Sequence, residues 1–391
     1  MIVLGLSSGT STDGIDVAAA RFTLDAGLVR LTPLGHLSLA YSPELRDAIR
    51  AALPPARTTM HDVCAIDTHI GREFAAAARR GIRELAGGTA DLVASHGQTV
   101  YHWVSGQTVN GTLQLGQPAW IAEATGLPVV SDLRSSDVAA GGQGAPLASL
   151  LDVLLLRGRA ERAAALNIGG IANVTVVRGG AEPVAFDTGP GNALLDAAAR
   201  RVTGGRAHHD EDGALARSGR VDPALLERLL AEPYYRLPPP KTTGLELFGA
   251  DYLDAALAHG APADGDLLAT LVELTATTVA EALRPYGVTE VVASGGGTRN
   301  PALLERLTHL LSPARISAPE DLGLDSDAKE SYLFALLGFL TWHGVAGSIP
   351  ACTGARRPVM AGRVTPGAAP LRLPEPTTTV PDRLRVDAPA H

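Results

Sequence analysis

The sequence predicts an α/β protein built from two similar halves around a ligand-binding cleft. Each half opens with two short apolar runs joined by a Gly-rich turn, at residues 2–6 and 15–20 and again at 163–168 and 172–177. Two such runs around a turn are typical of a β-hairpin. Alternating strands and helices follow each pair, which favours an α/β architecture. Ligands of such sheets bind beyond the carboxyl ends of strands, where the Gly-rich segments fall.

The first half continues with helices and single strands. Residues 43–53 and 66–86 have helical periodicity, with Ala-rich faces opposite Arg and Glu. The apolar stretches 91–95 and 128–131 predict strands, and Pro118 begins a short helix over 118–125. The Gly-rich stretch AAGGQGAP at 139–146 breaks the pattern and is the predicted boundary between the halves.

The second half follows the same order. A helix is predicted at 147–157, before the hairpin. Beyond the hairpin, the predicted elements are a strand at 184–186, helices at 192–202, 221–231, 249–258 and 265–285, a strand at 288–293, and helices at 301–311 and 327–345. Six prolines in the 26 residues from Pro366 predict an irregular tail with no packed core. We therefore expect an N-terminal lobe at 1–138, a C-terminal lobe at 139–345, and a return segment with a Pro-rich tail at 346–391.

Composition and charge exclude several classes of protein. At about 150 residues per domain, 391 residues predict two or three domains. A chain with 46% hydrophobic and 19% charged residues is not a disordered protein. The net charge of −8 argues against non-specific binding to nucleic acid or to an anionic membrane. Only 4% of the residues are aromatic, which argues against base-stacking surfaces.

Cysteine usage and apolar runs predict a cytoplasmic protein. Cys64 and Cys352 form no CxxC pair, which excludes a disulfide framework, and we expect buried free thiols. The apolar run 147–156 contains Asp152 and is shorter than the ~18 residues that span a bilayer. The opening MIVLGLSSGT has neither a basic region nor a cleavage site and is predicted to be a strand.

The loop SSGTSTDG, residues 7–14, has the composition of a phosphate-binding turn. Its glycines allow backbone N–H groups to point inward as an anion nest, and its hydroxyls add further donors. Asp13 or Asp16 suits a water-mediated contact to Mg²⁺, which prefers oxygen ligands. A polar hairpin turn without a ligand is an equally open interpretation of this loop.

Two further Gly-rich turns occur in the second half. Gly169 and Gly170 join two predicted strands, an arrangement that is also common without a ligand. The stretch SGGGTRN, residues 294–300, lies between a strand and a helix N-terminus, where phosphate or ribose can approach bare backbone. Together the three loops favour a nucleotide-binding cleft.

Two single residues suggest catalytic or binding roles. Asp187 in FDTGPGN follows a strand and suits a general base, although Asp before a helix is also a common N-cap. His96 in SHGQT offers a polar group to a hydroxylated ligand, although a lone His is often structural. His208–Asp212 is a contiguous run, so a solvated turn is favoured over a metal site. Lys241 lies in a predicted polyproline loop where approach to a ligand stays open.

The chain resembles the anhydro-N-acetylmuramic acid kinase family from residue 5 to about 360. The matching segments are GLSSGTSTDGIDVA (5–18), SHGQTVYH (95–102), LQLGQPAWIAEATGLPVVSDLRSSDVAAGGQGAPL (113–147), LNIGGIANVT (166–175), FDTGPGNALLDA (186–197), DGALARSG (212–219), PPPKTTGLELF (238–248), SGGGTRNPALLERL (294–307) and LGLDSDAKESYLFALLG (322–338). Ser7 replaces the usual Met and Leu133 the usual Phe, and neither change affects a polar catalytic position.

The resemblance implies a two-lobed sugar kinase/Hsp70/actin-like (ribonuclease H-like) fold with duplicated domains around an ATP cleft. The implied reaction converts 1,6-anhydro-N-acetylmuramic acid, ATP and water into N-acetylmuramic acid 6-phosphate and ADP, in peptidoglycan recycling and amino-sugar metabolism. By the same resemblance Asp187 is the catalytic base, Mg²⁺ accompanies ATP, and the enzyme is a homodimer. The net charge and composition given above predict that it binds neither nucleic acid nor membrane.

The resemblance also carries a set of site residues. The implied nucleotide-binding residues are Gly9, Thr10, Ser11, Thr12, Asp13, Gly14, Asp16, Gly169, Gly170, Asn173, Gly189, Gly191, Asn192, Gly295, Gly296, Gly297 and Asn300. The implied sugar-binding residues are Ser8, His96, Gln98, Thr99, Arg134 and Glu330, with Arg134 suited to a carboxylate through its bidentate fork. An ordinary hexose or amino-sugar kinase and a non-enzymatic ATP-dependent switch are the alternatives.

Overall fold

The fold was analysed in a computed structural model, which describes residues 1–9, 11–106, 108–258, 260–377 and 379–388. The strands are β1 (Ile2–Ser8), β2 (Gly14–Asp25), β3 (Leu28–Ala40), β4 (Leu92–Ser105), β5 (Thr108–Leu115), β6 (Val129–Ser131), β7 (Arg162–Ile168), β8 (Ile171–Arg178), β9 (Val184–Pro190), β10 (Glu290–Ser294), β11 (Arg315–Ser317), β12 (Arg363–Thr365) and β13 (Arg383–Val386).

The helices alternate with these strands, as predicted for an α/β protein. They are α1 (Pro43–Ala52), α2 (Met60–Glu84), α3 (Pro118–Thr125), α4 (Ser135–Ala139), α5 (Ala148–Leu156), α6 (Ala193–Val202), α7 (Ala214–Ser218), α8 (Pro223–Leu230), α9 (Ala250–Leu257), α10 (Asp264–Leu283), α11 (Pro301–Leu311), α12 (Lys329–Trp342) and α13 (Pro350–Thr353). Within the described ranges, no helix is both long and apolar enough to cross a bilayer.

The chain divides into two units. Unit 1 comprises Met1–Leu155 and Leu322–His391, and unit 2 comprises Leu156–Asp321. This division differs from the predicted lobes, because residues 139–155, α12 and the tail belong to unit 1. The reason is close packing: a Cβ on Gly5 of β1 would lie 1.9 Å from the Ser331 carbonyl oxygen of α12. Only a glycine strand position admits the helix backbone at that distance.

Unit 1 is built on an eight-stranded sheet with helices on both faces. The strand order is β12-β6-β4-β1-β2-β3-β13, with β5 paired to β4. Side chains of β1 alternate between the faces, as a strand period of two requires. Val3 packs in the core that contains α5 and α12, whereas Leu4 and Leu6 pack in the core that contains α2. The predicted β1–β2 hairpin is confirmed by antiparallel pairing from Ile2↔Arg21 to Ser7↔Asp16.

Unit 2 is built on a five-stranded sheet in the order β11-β10-β7-β8-β9. The predicted second hairpin is confirmed by antiparallel pairing of β7 and β8 up to Ile168↔Ala172. Helix α10 lies in the middle of the helical layer, and its apolar residues join those of α6, α8 and α11 in one core. Alanine and β-branched residues dominate the strand contribution to this core, so the helices approach the sheet closely.

Several elements were not predicted. Strand β3 was missed because Pro33 and Gly35 interrupt its alternation, where the β2–β3 register shifts at a bulge. Helix α2 begins six residues before the predicted start, because Thr59 and Asp62 form a capping box. The expectation of a tail without packing is wrong: β13 pairs in parallel with β3, and Leu384 is buried in the unit 1 core. The expectation of two buried thiols is wrong for Cys64, which is exposed.

Candidate active site

A row of polar side chains crosses the unit 2 sheet. Ser294 on β10 pairs with Asn167 on β7, which pairs with Asn173 on β8, which pairs with Asp187 on β9. Cross-strand partners project from the same face of a sheet. Asn167, Asn173 and Asp187 are partly exposed although most of β7, β8 and β9 is buried. The sheet therefore presents two amides and a carboxylate side by side. Sequence reasoning missed Asn167, whose signal was a polar residue inside the apolar run 163–168.

Asp187 is held on one side of its carboxylate. Oδ2 accepts hydrogen bonds from the Thr242 hydroxyl and the Thr243 backbone N–H, each at 2.9 Å. Among the residues that the structure describes, no hydrogen bond reaches Oδ1. The N-cap interpretation of Asp187 is wrong, because Asp187 lies within β9 and Asn192 is the residue that precedes α6. Asp187 thus presents a free carboxylate oxygen beside the asparagines.

Burial raises the pKa of Asp187 above the ordinary value of an aspartate. The hydrogen bonds from Thr243 and Thr242 and the charge of Lys241 act in the opposite direction, while Glu246 adds to the increase. A carboxylate with a raised pKa is a better proton acceptor than a solvated one, provided that it stays ionised. The donors on Oδ2 favour that ionised state.

Lys241 is engaged by the protein itself. Its Nζ donates to the carbonyl oxygens of Tyr234 at 3.1 Å and Tyr235 at 3.0 Å, and lies 4.6 Å from the Tyr234 ring centroid. Burial lowers the pKa of Lys241, and the nearby Asp187 carboxylate opposes that decrease. These contacts give Lys241 a structural role, because they hold the loop that contains it next to Asp187.

Three Gly-containing segments of unit 2, at 168–170, 189–192 and 294–300, converge at one end of its sheet. The N–H groups of Gly191 and Asn192 donate to the carbonyl oxygens of Gly170 at 2.9 Å and Gly169 at 2.8 Å. A Cβ on Gly297 would lie 2.3 Å from Ile168 Cγ2, so the turn at 294–300 packs directly against the turn at 168–170. The convergence gives bare backbone from three segments at one place, as a phosphate- or ribose-binding surface requires.

Two residues predicted to bind the nucleotide have clear local roles. The Asn300 side-chain oxygen caps α11 by accepting from the N–H groups of Ala302 at 3.0 Å and Leu303 at 3.3 Å. Gly189 has a φ of +149°, and a Cβ there would lie 2.8 Å from the Tyr235 ring. Their residue types are therefore explained by the fold, and contact with a nucleotide stays a prediction for both.

In unit 1, hydrogen bonds of Ser8 and Gln98 hold the Gly-rich loop that follows β1. Ser8 Oγ lies 2.7 Å from both the Gly14 carbonyl oxygen and Gln98 Oε1, and Gln98 Nε2 donates to the Gly9 carbonyl at 3.1 Å. Gln98 is fully buried. This geometry favours a supporting role for Ser8 and Gln98 over direct contact with a sugar. Thr99, also predicted to bind the sugar, accepts from the Gln114 amide through its hydroxyl at 3.2 Å.

The rim of that loop carries the predicted magnesium residues. Asp13 is exposed and accepts from Ser11 Oγ at 2.9 Å, while Asp16 accepts from Ser38 Oγ at 2.5 Å. Arg50 donates to Thr12 Oγ1 and to the Ser11 carbonyl, each at 3.0 Å. Thr10, also predicted to bind the nucleotide, lies outside the described residues.

Three predicted sugar-binding residues form one cluster in unit 1. Arg134 Nε donates to His96 Nε2 at 2.9 Å, and Arg134 Nη1 donates to the Gly144 carbonyl at 2.7 Å. His96 Nδ1 lies 3.0 Å from the Gly97 carbonyl, so the proton of the neutral ring is on Nδ1. Both ring nitrogens are therefore occupied within the protein. Burial, with the adjacent Arg134 charge, lowers the pKa of His96 to about 3. His96 positions Arg134 and is not free to bind a sugar hydroxyl through nitrogen in this structure.

Glu330 supplies the opposite charge in this cluster. It lies in the first turn of α12, next to Ser331, whose hydroxyl is 2.9 Å from that of Ser7. Burial raises the pKa of Glu330, whereas Arg134 lowers it and Asp16 raises it. The residue remains accessible to solvent. A carboxylate that is both accessible and surrounded by protein suits recognition of a hydroxyl or amide.

Comparison with known proteins decides the family. The family model described as anhydro-N-acetylmuramic acid kinase matches residues 1–367. The chain is 58% identical over 387 residues to the anhydro-N-acetylmuramic acid kinase of Streptomyces coelicolor, covering 99% of each chain. It is 53% identical to that of Rhodococcus erythropolis over 396 residues, covering 99% of this chain and 100% of the relative. The chain belongs to the anhydro-N-acetylmuramic acid kinase family. It is thus a kinase, a transferase that uses ATP.

Solved structures resemble this family member only distantly. The (R)-2-hydroxyglutaryl-CoA dehydratase component A of Acidaminococcus fermentans has a TM-score of 0.41 at 13% identity, covering 86% of this chain and 95% of that one. A ROK family glucokinase from Streptomyces griseus, solved with glucose and AMPPNP, has a TM-score of 0.37 at 14% identity, covering 87% and 99%.

The acidic run His208–Asp212 of the kinase is a helix cap. Asp210 is buried and accepts from the N–H groups of Leu215 at 2.8 Å and Ala216 at 3.0 Å, at the start of α7. In the described part of the chain, no group of three His, Cys, Asp or Glu residues is placed to hold a metal ion. His208, His209, Glu211 and Asp212 are exposed, as expected for a solvated turn, whereas the burial of Asp210 was not expected.

Proposed function

We propose that the protein catalyses the ATP-dependent hydrolytic opening and phosphorylation of 1,6-anhydro-N-acetylmuramic acid to N-acetylmuramic acid 6-phosphate and ADP, in peptidoglycan recycling. Family membership supports the substrate. The observation that carries the chemistry is Asp187, a half-buried carboxylate held on Oδ2 and free on Oδ1. Since ATP is the phosphoryl donor, we expect the reaction to take place in the cytoplasm.

The proposed step needs a base for one water molecule. Asp187 Oδ1 takes a proton from the water as its oxygen forms a bond to C1 of the sugar. The C1–O6 bond breaks, O6 forms a bond to the γ-phosphorus, and the bond from that phosphorus to the bridging oxygen of ADP breaks. One water and one ATP are consumed, and a proton is released from Asp187 after turnover. Orientation of the carboxylate is the main contribution of the protein at C1.

The phosphates are proposed to bind at backbone rather than at basic side chains. In unit 2, Gly170 and Gly296 of the converging turns are exposed, and this backbone without side chains is proposed to receive the phosphates in a protein with net charge −8. Mg²⁺ fits this arrangement, because it keeps several waters and needs only one or two carboxylates besides phosphate. Either the exposed Asp13 or the partly exposed Asp16 is proposed to hold it through water. Bound there, Mg²⁺ neutralises phosphate charge.

The sugar is proposed to bind to the charged cluster of unit 1. Arg134 retains its charge and has donors in addition to those used on His96 and Gly144. Its planar fork suits the lactyl carboxylate, and Glu330 suits a sugar hydroxyl or amide. His96 contributes by orienting Arg134. A homodimer, implied by the family resemblance, stays a prediction.

Substitution of the base tests the proposal. Asp187→Asn keeps the shape of the side chain and removes its ability to take a proton. We expect kcat with the anhydro sugar to fall by about 10²- to 10⁴-fold, the usual contribution of a general base, with little change in ATP affinity. Asp251→Asn, an exposed acid in α9, is the matched control. Full activity of Asp187→Asn would refute the assignment of the base.

A further inference from the structure

Three consecutive residues of one loop hold Asp187 at both its backbone and its carboxylate. Asp187 N–H donates to the Lys241 carbonyl at 3.0 Å. The Thr242 hydroxyl and the Thr243 N–H each donate to Asp187 Oδ2 at 2.9 Å. The loop thus holds the side chain relative to its own strand, and both of these carboxylate contacts fall on Oδ2.

The loop is itself locked to the same residue through Tyr234. Lys241 Nζ donates to the Tyr234 carbonyl at 3.1 Å, and the Tyr234 hydroxyl donates to the Asp187 carbonyl at 2.9 Å. With the bond from Asp187 N–H to Lys241, these contacts form a closed ring of three residues. The fully buried Phe248 packs edge-on against the Tyr234 ring at 5.6 Å between centroids. An ammonium ion and an aromatic ring together hold the loop against β9.

Thr242 differs from the three residues of this ring because it is exposed. An exposed threonine in an irregular loop contributes little to the core, so packing does not explain its hydroxyl contact with a half-buried carboxylate. A hydroxyl bond to an ionised acceptor stabilises the charged form and fixes which oxygen is shielded. Burial of Asp187 acts against ionisation, and the Thr242 hydroxyl is a side-chain donor that opposes it.

We propose that Thr242 is a positioning residue for the base, which shields Asp187 Oδ2 and keeps the carboxylate ionised so that Oδ1 takes the proton from water. The inference rests on the proposed function of Asp187. The hydrogen bond from Lys241 to Tyr234 keeps the loop, and with it Thr242, next to Asp187. No part of the nucleotide or sugar needs to touch Thr242 for this role.

The test compares Thr242→Val with Thr242→Ser across pH. Valine keeps the volume and removes the hydroxyl, whereas serine keeps the hydroxyl. For Thr242→Val we expect kcat at its pH plateau to fall about tenfold, the effect of losing a hydrogen bond to a charged group. Because loss of the donor raises the pKa of Asp187, the acidic limb of the kcat profile moves to higher pH by about one unit. KM for ATP stays unchanged.

Controls separate this role from a structural one. Thr242→Ser should restore both kcat and the acidic limb, and Thr308→Val, on the exposed face of α11, should behave as the wild type. An unmoved acidic limb in Thr242→Val, or an equal loss in Thr242→Ser, overturns the inference. Asp187→Asn distinguishes failure of the Thr242 proposal from failure of the proposed base. If it is inactive while Thr242→Val behaves as the wild type, only the role of Thr242 fails. If Asp187→Asn is active, the proposed base fails.

Discussion

The buried His96 predicts an unusual dependence of unit 1 stability on pH. His96 is 4% exposed, accepts a hydrogen bond from Arg134 and has its pKa lowered to about 3. In the unfolded chain the same imidazole has the ordinary pKa of 6.5. Between these two values the unfolded chain takes up a proton that the folded protein refuses, so folding becomes less favourable as pH falls. The proposed perturbation is His96→Gln, which cannot be protonated in this range.

The magnitude follows from the two pKa values. The penalty is nearly absent at pH 7, and below 6.5 it grows by about 1.4 kcal/mol for each pH unit. For a shift from 6.5 to about 3, His96 lowers the free energy of unfolding by about 2 kcal/mol between pH 7 and pH 5. His96→Gln should lose less stability than the wild type over the same interval, by about that amount. The His96 ring stacks on that of Phe334 at 4.4 Å between centroids. A constant offset from altered packing there does not affect this difference.

Tryptophan fluorescence during urea unfolding measures the relevant transition. All three tryptophans, Trp103, Trp120 and Trp342, belong to unit 1, so their signal reports that unit alone. His61→Gln on the exposed start of α2 is the matched control and should keep the wild-type dependence on pH. Equal pH dependences for His96→Gln and the wild type between pH 7 and pH 5 would refute the account of His96 as a neutral partner of Arg134.

Two further predictions concern stability. Leu384→Ala in β13 should destabilise unit 1 by about 2 to 3 kcal/mol, because it leaves a cavity in the core. Leu373→Ala, exposed in the tail, should change it by less than about 0.5 kcal/mol, and equal effects in urea unfolding would contradict the packing of the tail. Gly297→Ala should destabilise unit 2 by about 1 to 3 kcal/mol through overpacking on Ile168. In calorimetry, Gly296→Ala should leave the melting temperature nearly unchanged, because its Cβ would meet Asn192 only at 3.7 Å.

Most regular elements of the fold could be predicted because their periodicity is local. The two hairpins and the helices α1, α3, α6 and α11 needed only apolar spacing and start signals such as Pro118. Strand β3 and the tail strand β13 could not be predicted in this way. A bulge hides the alternation of β3, and β13 is stabilised by pairing with β3, more than 300 residues away in the chain.

In the candidate site too, features with a local sequence signal could be predicted and tertiary contacts could not. Asp187 could be proposed from the motif FDTGPGN at the end of an apolar run, and the Gly-rich turns from their glycines. The partners of Asp187 could not, because Thr242 lies 55 residues further along the chain and meets it only in the folded sheet. The predicted contact of His96 with the sugar is also affected by hydrogen bonds within the protein. Its ring nitrogens are taken by Arg134 and Gly97, contacts that no local pattern reveals.

In the proposed reaction water attacks C1 while O6 receives the phosphoryl group, and isotope labelling can follow both oxygens. The purified protein is incubated with 1,6-anhydro-N-acetylmuramic acid and ATP in H₂¹⁸O, and the product is reduced immediately so that the C1 oxygen cannot exchange with solvent. We predict one ¹⁸O at C1 and an unlabelled oxygen bridging C6 and phosphorus. A phosphorylated product without ¹⁸O at C1, or one that keeps the anhydro bridge, would contradict the account.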